Sequence, residues 1–509
     1  MGNWKNFVKN LCLKESNVEV LRAEAERGFE DYGVYPRSVN KVGNAVVMMV
    51  RGDNEKYLVA AGDDTWLQNL KGTETEEEGL KIKVCPLSYE NCNVIREIFP
   101  YTNPQAHKGR NITIGLGDRL GLASPGHIET IRDLDVFPVL AQQSIRELNL
   151  TGRTYKEVIS AAAWAVFQEG YTKGYGADGD HLKTADEVKM SLDVGMTMIT
   201  LDCSDHIDNS AADADVSELK EKYSRFTKEE REKWEARYAN KTFNTGSHSF
   251  HISEEDMVRL ACVYGGAIRH TVDIYHNIIA KCGRPIDFEM SIDETLTPTS
   301  PASHYFVAAE LIDAGVEITS LAPRFCGEFQ KGIDYIGDLK QFTEEFTVHA
   351  AIAEHFGYKI SVHSGSDKFM VFPVVGEKTN GRYHLKTAGT NWLEAVRVIA
   401  RHKPDLYRRM HAFALEHLEE AKKYYHIGAK PENIPDIDSL KDSELPDLMN
   451  RDDSRQVLHI TYGLILQAKD ENQNSLFRDE LYSVLYEYER EYTEALKKHI
   501  GRHLRTLGL

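Results

Sequence analysis

The length, composition and charge of the chain exclude several classes of protein. Its 509 residues suffice for one large barrel of roughly 250 to 400 residues with appended segments. The formal net charge is −18, from 79 acidic and 61 basic side chains. Because such a surface repels a phosphate backbone, we expect no nucleic acid partner.

Membrane and secretory signals are also missing from the sequence. No stretch approaches the roughly 20 uninterrupted apolar residues that span a bilayer, and residues 1–16 have no signal-peptide core. The seven cysteines are scattered without a C-x-x-C pair, so neither a disulfide framework nor a zinc knuckle is predicted. We therefore expect a cytoplasmic protein with no membrane partner. The number of subunits stays open, and a homo-oligomer is one alternative.

Residues 1–108 are predicted to form an α+β appendage. Residues 45–50 and 57–61 are apolar β-forming runs around a polar turn, which is typical of a β-hairpin. The acidic stretch 72–79 is predicted to be a solvated loop.

Residues 109–395 show a different pattern, in which short apolar runs alternate with helical segments. Capping boxes at Thr154-x-x-Glu157 and Thr184-x-x-Glu187 mark the starts of two of these helices. Eight such runs predict an α/β fold, a (β/α)8 TIM-type barrel, although an open doubly wound sheet would give a similar pattern. The runs are residues 112–117, 136–141, 175–180, 196–202, 286–293, 317–322, 359–364 and 383–388.

Two further segments complete the predicted architecture. Residues 207–283, between the fourth and fifth runs, are charged and helix-rich, so they are predicted to be a helical insertion on the catalytic face. Residues 396–509 are predicted to be a mainly helical C-terminal extension packed on the barrel, with one extra strand at 458–463.

Polar side chains cluster where the predicted strands end, which is where barrel enzymes place reacting groups. The third run ends in GADGDHLKT, which brings Asp178, Asp180 and His181 together behind glycines. A turn organised by the two aspartates is the alternative reading. The seventh and eighth runs end in groups suited to a polyhydroxylated or anionic ligand, namely Ser364, Asp367, Lys368, Lys386, Thr387, Gly389 and Thr390.

Histidines near three of these strand ends are the predicted metal ligands. We select His181, His304 and His363, and keep His206, His384 and Glu294 as reserves. A histidine in the first turn of a helix, such as His304, is also commonly a structural residue. Imidazole and carboxylate donors without paired cysteines suit a divalent ion in a mixed site, with zinc, manganese, nickel and cobalt all open.

Several motifs in the same order resemble the tagaturonate epimerase family. They are GADGDHLKT, SIDETLTPTSPASHYF, SLAPRFCGEFQKGIDYIGDL and HSGSDKF with HLKTAGT following, and they extend over roughly residues 110–395. The resemblance implies a divalent-metal-dependent epimerase that acts on a sugar acid by interconverting tagaturonate and fructuronate. The related ketohexoses tagatose and fructose are alternative substrates.

The implied reaction inverts a carbon beta to the ketone, where simple enolisation gives the hydrogen little acidity. Retro-aldol cleavage and reclosure would solve this problem, with the metal stabilising the enediolate. Transient oxidation is disfavoured, because no G-x-G-x-x-G pattern follows a predicted strand. Under this hypothesis Asp180 is the base and Glu294 the acid.

Cationic side chains are the expected partners of the substrate carboxylate or hydroxyl groups. The candidates are Lys183, Arg324, Lys368 and Lys386, of which Arg324 is the best suited to bidentate carboxylate binding. Two classes of alternative function remain: a metal-dependent aldose–ketose isomerase or aldolase on the same barrel, and a noncatalytic carbohydrate-binding protein.

Overall fold

An antiparallel sheet with short helices precedes the barrel in the chain. The structure, a computed structural model, describes residues 3–12, 14, 17–77, 79–107 and 109–509. Five strands pair in the order β1-β2-β3-β5-β4, and the predicted hairpin is present as β2 and β3. The elements are β1 (Asn40–Val42), β2 (Ala45–Arg51), β3 (Lys56–Gly62), β4 (Thr73–Glu77), β5 (Leu80–Pro86), α1 (Trp4–Phe7), α2 (Val18–Arg27), α3 (Phe29–Tyr32) and α4 (Tyr89–Ile98).

The acidic stretch predicted to be a loop is instead the edge strand β4. Its register places Glu74 opposite Lys83 and Glu76 opposite Lys81 on β5. Opposite charges facing each other across an antiparallel pair stabilise the pairing, and charges on an edge strand discourage further association. The prediction was wrong because it treated the acids as a solvated run and ignored the lysines that lie opposite them. Glu78 lies outside the described residues.

The first half of the barrel follows directly, with each parallel strand leading into a helix. The predicted capping boxes begin α7 at Thr154 and α8 at Thr184, and a third box joins Ser144 to Glu147 at the start of α6. The elements are β6 (Ile112–Leu116), α5 (Ser124–Ile131), β7 (Phe137–Ser144), α6 (Ile145–Thr151), α7 (Tyr155–Gln168), β8 (Gly176–Leu182), α8 (Ala185–Asp193) and β9 (Met198–Asp202).

An insertion begins just after the carboxyl end of β9. It is helical, as predicted, but it also contains a β-hairpin whose tip is Gly246, in the left-handed region at φ 61°. The hairpin was missed because its strands are mostly polar. The elements are α9 (Val216–Ser224), α10 (Lys228–Tyr238), β10 (Lys241–Thr245), β11 (His248–Ile252) and α11 (Glu254–Asn277).

The second half of the barrel closes the sheet. β12 pairs with β9 and β15 pairs with β6, so the eight predicted runs form one closed parallel barrel and the predicted fold class is confirmed. The carboxyl ends of these strands therefore meet at one mouth. The elements are β12 (Asp287–Ile292), α12 (Pro301–Asp313), β13 (Ser320–Pro323), α13 (Leu339–Phe356), β14 (Lys359–Val362), α14 (Phe372–Lys378), β15 (Tyr383–Thr387) and α15 (Thr390–His402).

The C-terminal extension is helical and packs against the barrel. Its last helix contacts α5 and α15. Among the described helices, none combines the length and apolar character needed to cross a bilayer. The elements are α16 (Pro404–Glu416), α17 (Leu418–Ala421), α18 (Asp452–Ile460), α19 (Tyr462–Gln467), α20 (Arg478–Glu487) and α21 (Glu489–Thr506).

The extra strand predicted at 458–463 is wrong, because these residues belong to helices α18 and α19. The Leu458 carbonyl accepts a hydrogen bond from Trp392 Nε1 at 2.8 Å, and α18 packs between α15 and α16. The short apolar run at the end of α18 is buried, and a short apolar run in a buried helix cannot be distinguished from a buried strand by periodicity.

Candidate active site and metal centre

The barrel interior below the mouth holds a buried charge cluster centred on Lys386. Its Nζ lies 2.8 Å from Asp178 Oδ2, 2.7 Å from Asp180 Oδ1 and 3.1 Å from Glu289 Oε1. Asp178 and Asp180 are two residues apart on β8, so both side chains point to the same side of the strand. All four charged groups are buried. Three strands, β8, β12 and β15, are thereby joined through one ammonium.

The pKa values of Asp178 and Asp180, the two aspartates of β8, are shifted in opposite directions within this cluster. Burial, which outweighs the opposing charge of Lys386, raises the pKa of Asp178 to about 6. Burial alone would also raise the pKa of Asp180, but Lys386, His181 and His363 together lower it to about 2. Burial disfavours the ammonium, yet the neighbouring carboxylates hold the pKa of Lys386 well above its usual value. Asp180 is therefore ionised at neutral pH.

Two histidines lie above this cluster, at the mouth of the barrel. The His181 and His363 rings are 4.8 Å apart and nearly perpendicular. His181 follows a β-bulge in β8 and has φ 51°, a conformation that turns its side chain into the mouth. His363 Nε2 lies 2.7 Å from Glu289 Oε1, and its Nδ1 lies 3.3 Å from Asp293 Oδ2. Asp293 directly follows β12.

The donor atoms at this mouth fit a divalent ion. His181, Asp293 and His363 each offer a ligand atom, and these atoms lie within 4.8 Å of one another. Nδ1 of both histidines is buried without a hydrogen-bond partner in the described part of the chain. Glu289 on the opposite ring nitrogen of His363 matches the carboxylate that commonly orients a ligating histidine. Two imidazoles and a carboxylate suit a borderline divalent metal.

A second group of three donors adjoins the first. His181, Asp202 and Glu294 offer ligand atoms that also lie within 4.8 Å of one another. Asp202 Oδ2 is 3.9 Å from His181 Nδ1, while Asp180 Oδ1 is 3.9 Å from His181 Nε2. Glu294 is exposed at the rim. Asp180 and Glu294, the two acids predicted for catalysis, therefore both lie near the His181 imidazole.

His304 does not join the other two predicted ligands, which corrects the predicted triplet. It lies in the first turn of α12, fully buried, with Nδ1 2.9 Å from His349 Nδ1 and Nε2 2.6 Å from Tyr358 Oη. Both ring nitrogens are therefore engaged between α12 and the elements beside it. Sequence order placed His304 just after a strand end, but the helix turns its side chain into the surrounding layer.

The reserve ligands lie in different places. His206 is exposed and stacks on His270 with ring centroids 3.9 Å apart. His384 is buried in β15 with Nδ1 2.8 Å from Thr113 Oγ1, and burial lowers its pKa to about 3. Glu294, as described, is at the rim. Neither His206 nor His384 belongs to a metal-ligand group among the described residues.

The predicted substrate-binding residues separate into two sets. Those that line the cavity at the mouth are Ser364, Lys386 and Gly389, together with Asp180, His181 and His363. Asp178 lies beneath Lys386. Thr387 donates to the Gly115 carbonyl at 2.8 Å, and Thr390 is buried as the first residue of α15. Thr387 and Thr390 thus have structural roles in the elements around the site.

Four charged residues predicted to bind substrate make protein contacts instead. Lys368 Nζ donates to the carbonyls of residues 330, 333 and 366, and Asp367 lies 2.6 Å from Arg455 Nη2. Lys183 Nζ is 2.8 Å from Asp205 Oδ1. Arg324 Nη1 donates to the Thr295 carbonyl. None of the four lines the described cavity, and each has its charge satisfied by neighbouring protein groups.

The cavity also contains residues that the sequence analysis missed. Arg119, Arg146, Lys331 and His459 line it. Arg119 lies in the short polar turn after β6, so its position near a strand end could have identified it as a site residue. His459 gave no such signal, since it lies in helix α18, far along the chain and within an apolar run. Glu289 was hidden within an apolar strand and Asp293 was passed over for its neighbour Glu294.

Comparisons with known proteins show to which family of enzymes this chain is similar. Residues 35–507 match the family model of UxaE, tagaturonate epimerase. A tagaturonate/fructuronate epimerase from Thermotoga maritima is 39% identical over 488 residues, covering 96% of this chain and 98% of that protein.

Solved structures give the same relationship. The native crystal structure of fructuronate-tagaturonate epimerase UxaE from Cohnella laeviribosi has a TM-score of 0.91 and 56% identity, covering 93% of this chain and 96% of that chain. The one-glycerol complex of the same enzyme has a TM-score of 0.92 and 54% identity, covering 97% and 100%. The likeness therefore extends over the barrel and its additions.

Replacing Lys386 tests the buried charge cluster. In Lys386→Met, three buried carboxylates lose their shared cation, so we expect the free energy of unfolding to fall by about 3–5 kcal/mol. Chemical denaturation followed by circular dichroism measures the change. Lys228→Met on the exposed side of α10 is the matched control and should stay within about 0.5 kcal/mol of wild type. Equal stability of the two variants would show that the cluster does not depend on Lys386.

Proposed function

The chain belongs to the tagaturonate epimerase family, and from this membership we propose that it interconverts tagaturonate and fructuronate with a divalent metal. The related neutral ketohexoses tagatose and fructose are the alternative substrates. The observation that carries the proposal is the His181–Asp293–His363 group beside the ionised Asp180 at the mouth of a closed barrel. A cytoplasmic location, and the domain division at residues 108 and 395, stay predictions from the sequence.

The proposed metal ligands are His181, Asp293 and His363, with Asp293 in the position that His304 was predicted to take. Their support is the proximity of the three donor atoms and the buried Nδ1 atoms described above. A bound divalent ion would supply positive charge next to the oxygen that becomes negative as the ketone is converted to an enediolate. Zinc, manganese, nickel and cobalt all fit this donor set.

The proposed reaction breaks and reforms a carbon–carbon bond. Asp180 accepts the proton of the hydroxyl on the carbon beta to the ketone, the bond to the alpha carbon breaks, and an aldehyde and an enediolate result. The aldehyde then rotates and the bond reforms on its other face. The proton returns to the new hydroxyl oxygen, so atoms and electrons balance without an external oxidant.

Asp180 and Glu294 are the proposed acid–base pair. Lys386 keeps Asp180 ionised before substrate binds. Substrate would exclude water from this buried carboxylate and so increase its proton affinity. Glu294 lies near His181 at the rim, and Asp180 lies near it within the barrel. In the proposed reaction each acid serves one of the two hydroxyl orientations, with roles exchanged in the reverse direction.

Product analysis tests the proposed function. Metal-loaded enzyme is incubated with tagaturonate, fructuronate, tagatose or fructose in deuterated water, and products are identified by NMR. We expect epimers that retain the ketone and carry no solvent deuterium at the inverted carbon, because that carbon keeps its own hydrogen in a retro-aldol step. Deuterium at that carbon would exclude this step. A shifted carbonyl would identify an isomerase, and released fragments an aldolase.

Replacing the proposed base tests its role. Asp180→Asn keeps the size of the side chain but cannot accept the proton, so we expect kcat to fall by about 10²- to 10⁴-fold while metal content is retained. Asp186→Asn, on an exposed side chain of α8, is the matched control and should keep wild-type turnover. Near-normal turnover of Asp180→Asn would remove this residue from the mechanism.

Metal removal and ligand variants test the proposed metal centre. Dialysis against a chelator should abolish turnover, and added divalent metal should restore it. His363→Ala removes one donor, so we expect its metal affinity to fall at least about 100-fold, as measured by elemental analysis after dialysis. His426→Ala, an exposed histidine, is the control. Retention of a full metal equivalent by His363→Ala would contradict the assignment.

A further inference from the structure

One wall of the active-site cavity is formed by cations rather than by the acids of the metal centre. We call Arg119, Arg146 and Lys331 the cationic wall. Within the described part of the chain, Glu147 forms a direct ion pair with Arg119 of this wall, through the contact of its Oε1 with Arg119 Nε and Nη2 at 2.9 and 2.8 Å. Asp180, His181 and His363 line the same cavity. The cavity therefore places the Asp180 carboxylate and the two histidines beside an excess of positive charge.

Arg119 is held rigidly, yet one of its donors is unused. Asp118 accepts hydrogen bonds from the backbone N–H groups of residues 120–124, which fixes the loop after β6. The Arg119 guanidinium lies 4.0 Å from the Tyr462 ring centroid. Its Nη1 is buried and has no hydrogen-bond partner within the described ranges of the chain. An anion in the cavity would supply the missing acceptor.

Lys331 and His459 complete the same region. Lys331 Nζ donates to Ser364 Oγ at 2.9 Å, and burial together with Arg146 and Arg119 lowers the pKa of Lys331. The His459 ring is 1% exposed, and neither of its nitrogens has a hydrogen-bond partner among the residues described. The ring packs against Gly389, where an added Cβ would lie 1.9 Å from His459 Cε1. The amino end of α15 thus lies at the cavity, in close contact with His459.

We infer that the cationic wall is the subsite for the substrate carboxylate, with Arg119 and Lys331 binding its oxygens and His459 a neighbouring hydroxyl. The inference rests on the proposed function and selects a sugar acid over a neutral ketose as the preferred substrate. It also fixes the orientation: the carboxylate end lies at the wall, and the carbons that react lie at the metal ligands. Arg324, predicted for this role, is engaged by the Thr295 carbonyl.

Comparing a charged with a neutral substrate tests the subsite. Lys331→Met removes the positive charge of a partly buried side chain, and Arg146→Met removes that of an exposed one. We expect Lys331→Met to lower kcat/KM for tagaturonate by about 10- to 100-fold, and that for tagatose less than about threefold. Arg146→Met should also lower kcat/KM for tagaturonate, but by a smaller factor, because solvent screens the charge of Arg146. Lys340→Met, exposed on α13, is the matched control.

Calorimetric binding keeps this test separate from turnover. Wild type should bind tagaturonate more tightly than tagatose, and Lys331→Met should remove most of that preference. Equal losses for both sugars in both variants, or equal binding of both sugars by wild type, would overturn the subsite. If wild type binds tagaturonate through the wall but converts neither sugar, the proposed function fails while the subsite stands.

Discussion

The ion cluster around Lys386 is the constraint on which the active site depends. One buried ammonium lies within 3.1 Å of carboxylate oxygens from Asp178, Asp180 and Glu289, and so ties three strands together inside the barrel. Any of these carboxylates would be unstable there without it, because a buried charge needs a partner. The same contact sets the ionisation of Asp180. The stability of the barrel and the ionisation of Asp180, the proposed proton acceptor, thus both depend on Lys386.

The proposed metal centre is in direct contact with this cluster. Glu289 contacts both Lys386 and His363, so the charge cluster also orients the imidazole at the mouth. Asp293 and His181 approach from β12 and β8, and a β-bulge gives His181 its direction. Glu289, an acid buried within a strand, thus connects Lys386 to His363. The arrangement of the site therefore depends on buried strand residues as well as on the polar residues at strand ends.

The segments outside the barrel complete the cavity. Helix α18 supplies His459, while Arg455 of the same helix lies 2.6 Å from Asp367 in the loop after β14. Asp367 also lies 2.7 Å from His499 of α21. These contacts hold the loop that carries Ser364. The C-terminal extension therefore has a structural role in the site in addition to covering the barrel.

The sequence by itself determined the eight alternating strands and helices, because each has a local signature in apolar periodicity and capping, and the tertiary structure decided that they close into a barrel. It also identified Asp180, His181, His363 and Lys386, which lie at strand ends that closure brings together. Only the tertiary structure decided that Asp293, and not His304, lies beside His181 and His363, and that Lys368 and Arg324 bind backbone carbonyls of loops. The same is true of Arg119, Lys331 and His459 in one cavity. Those outcomes depend on the directions of side chains and on contacts between distant segments, and spacing along the sequence predicts neither.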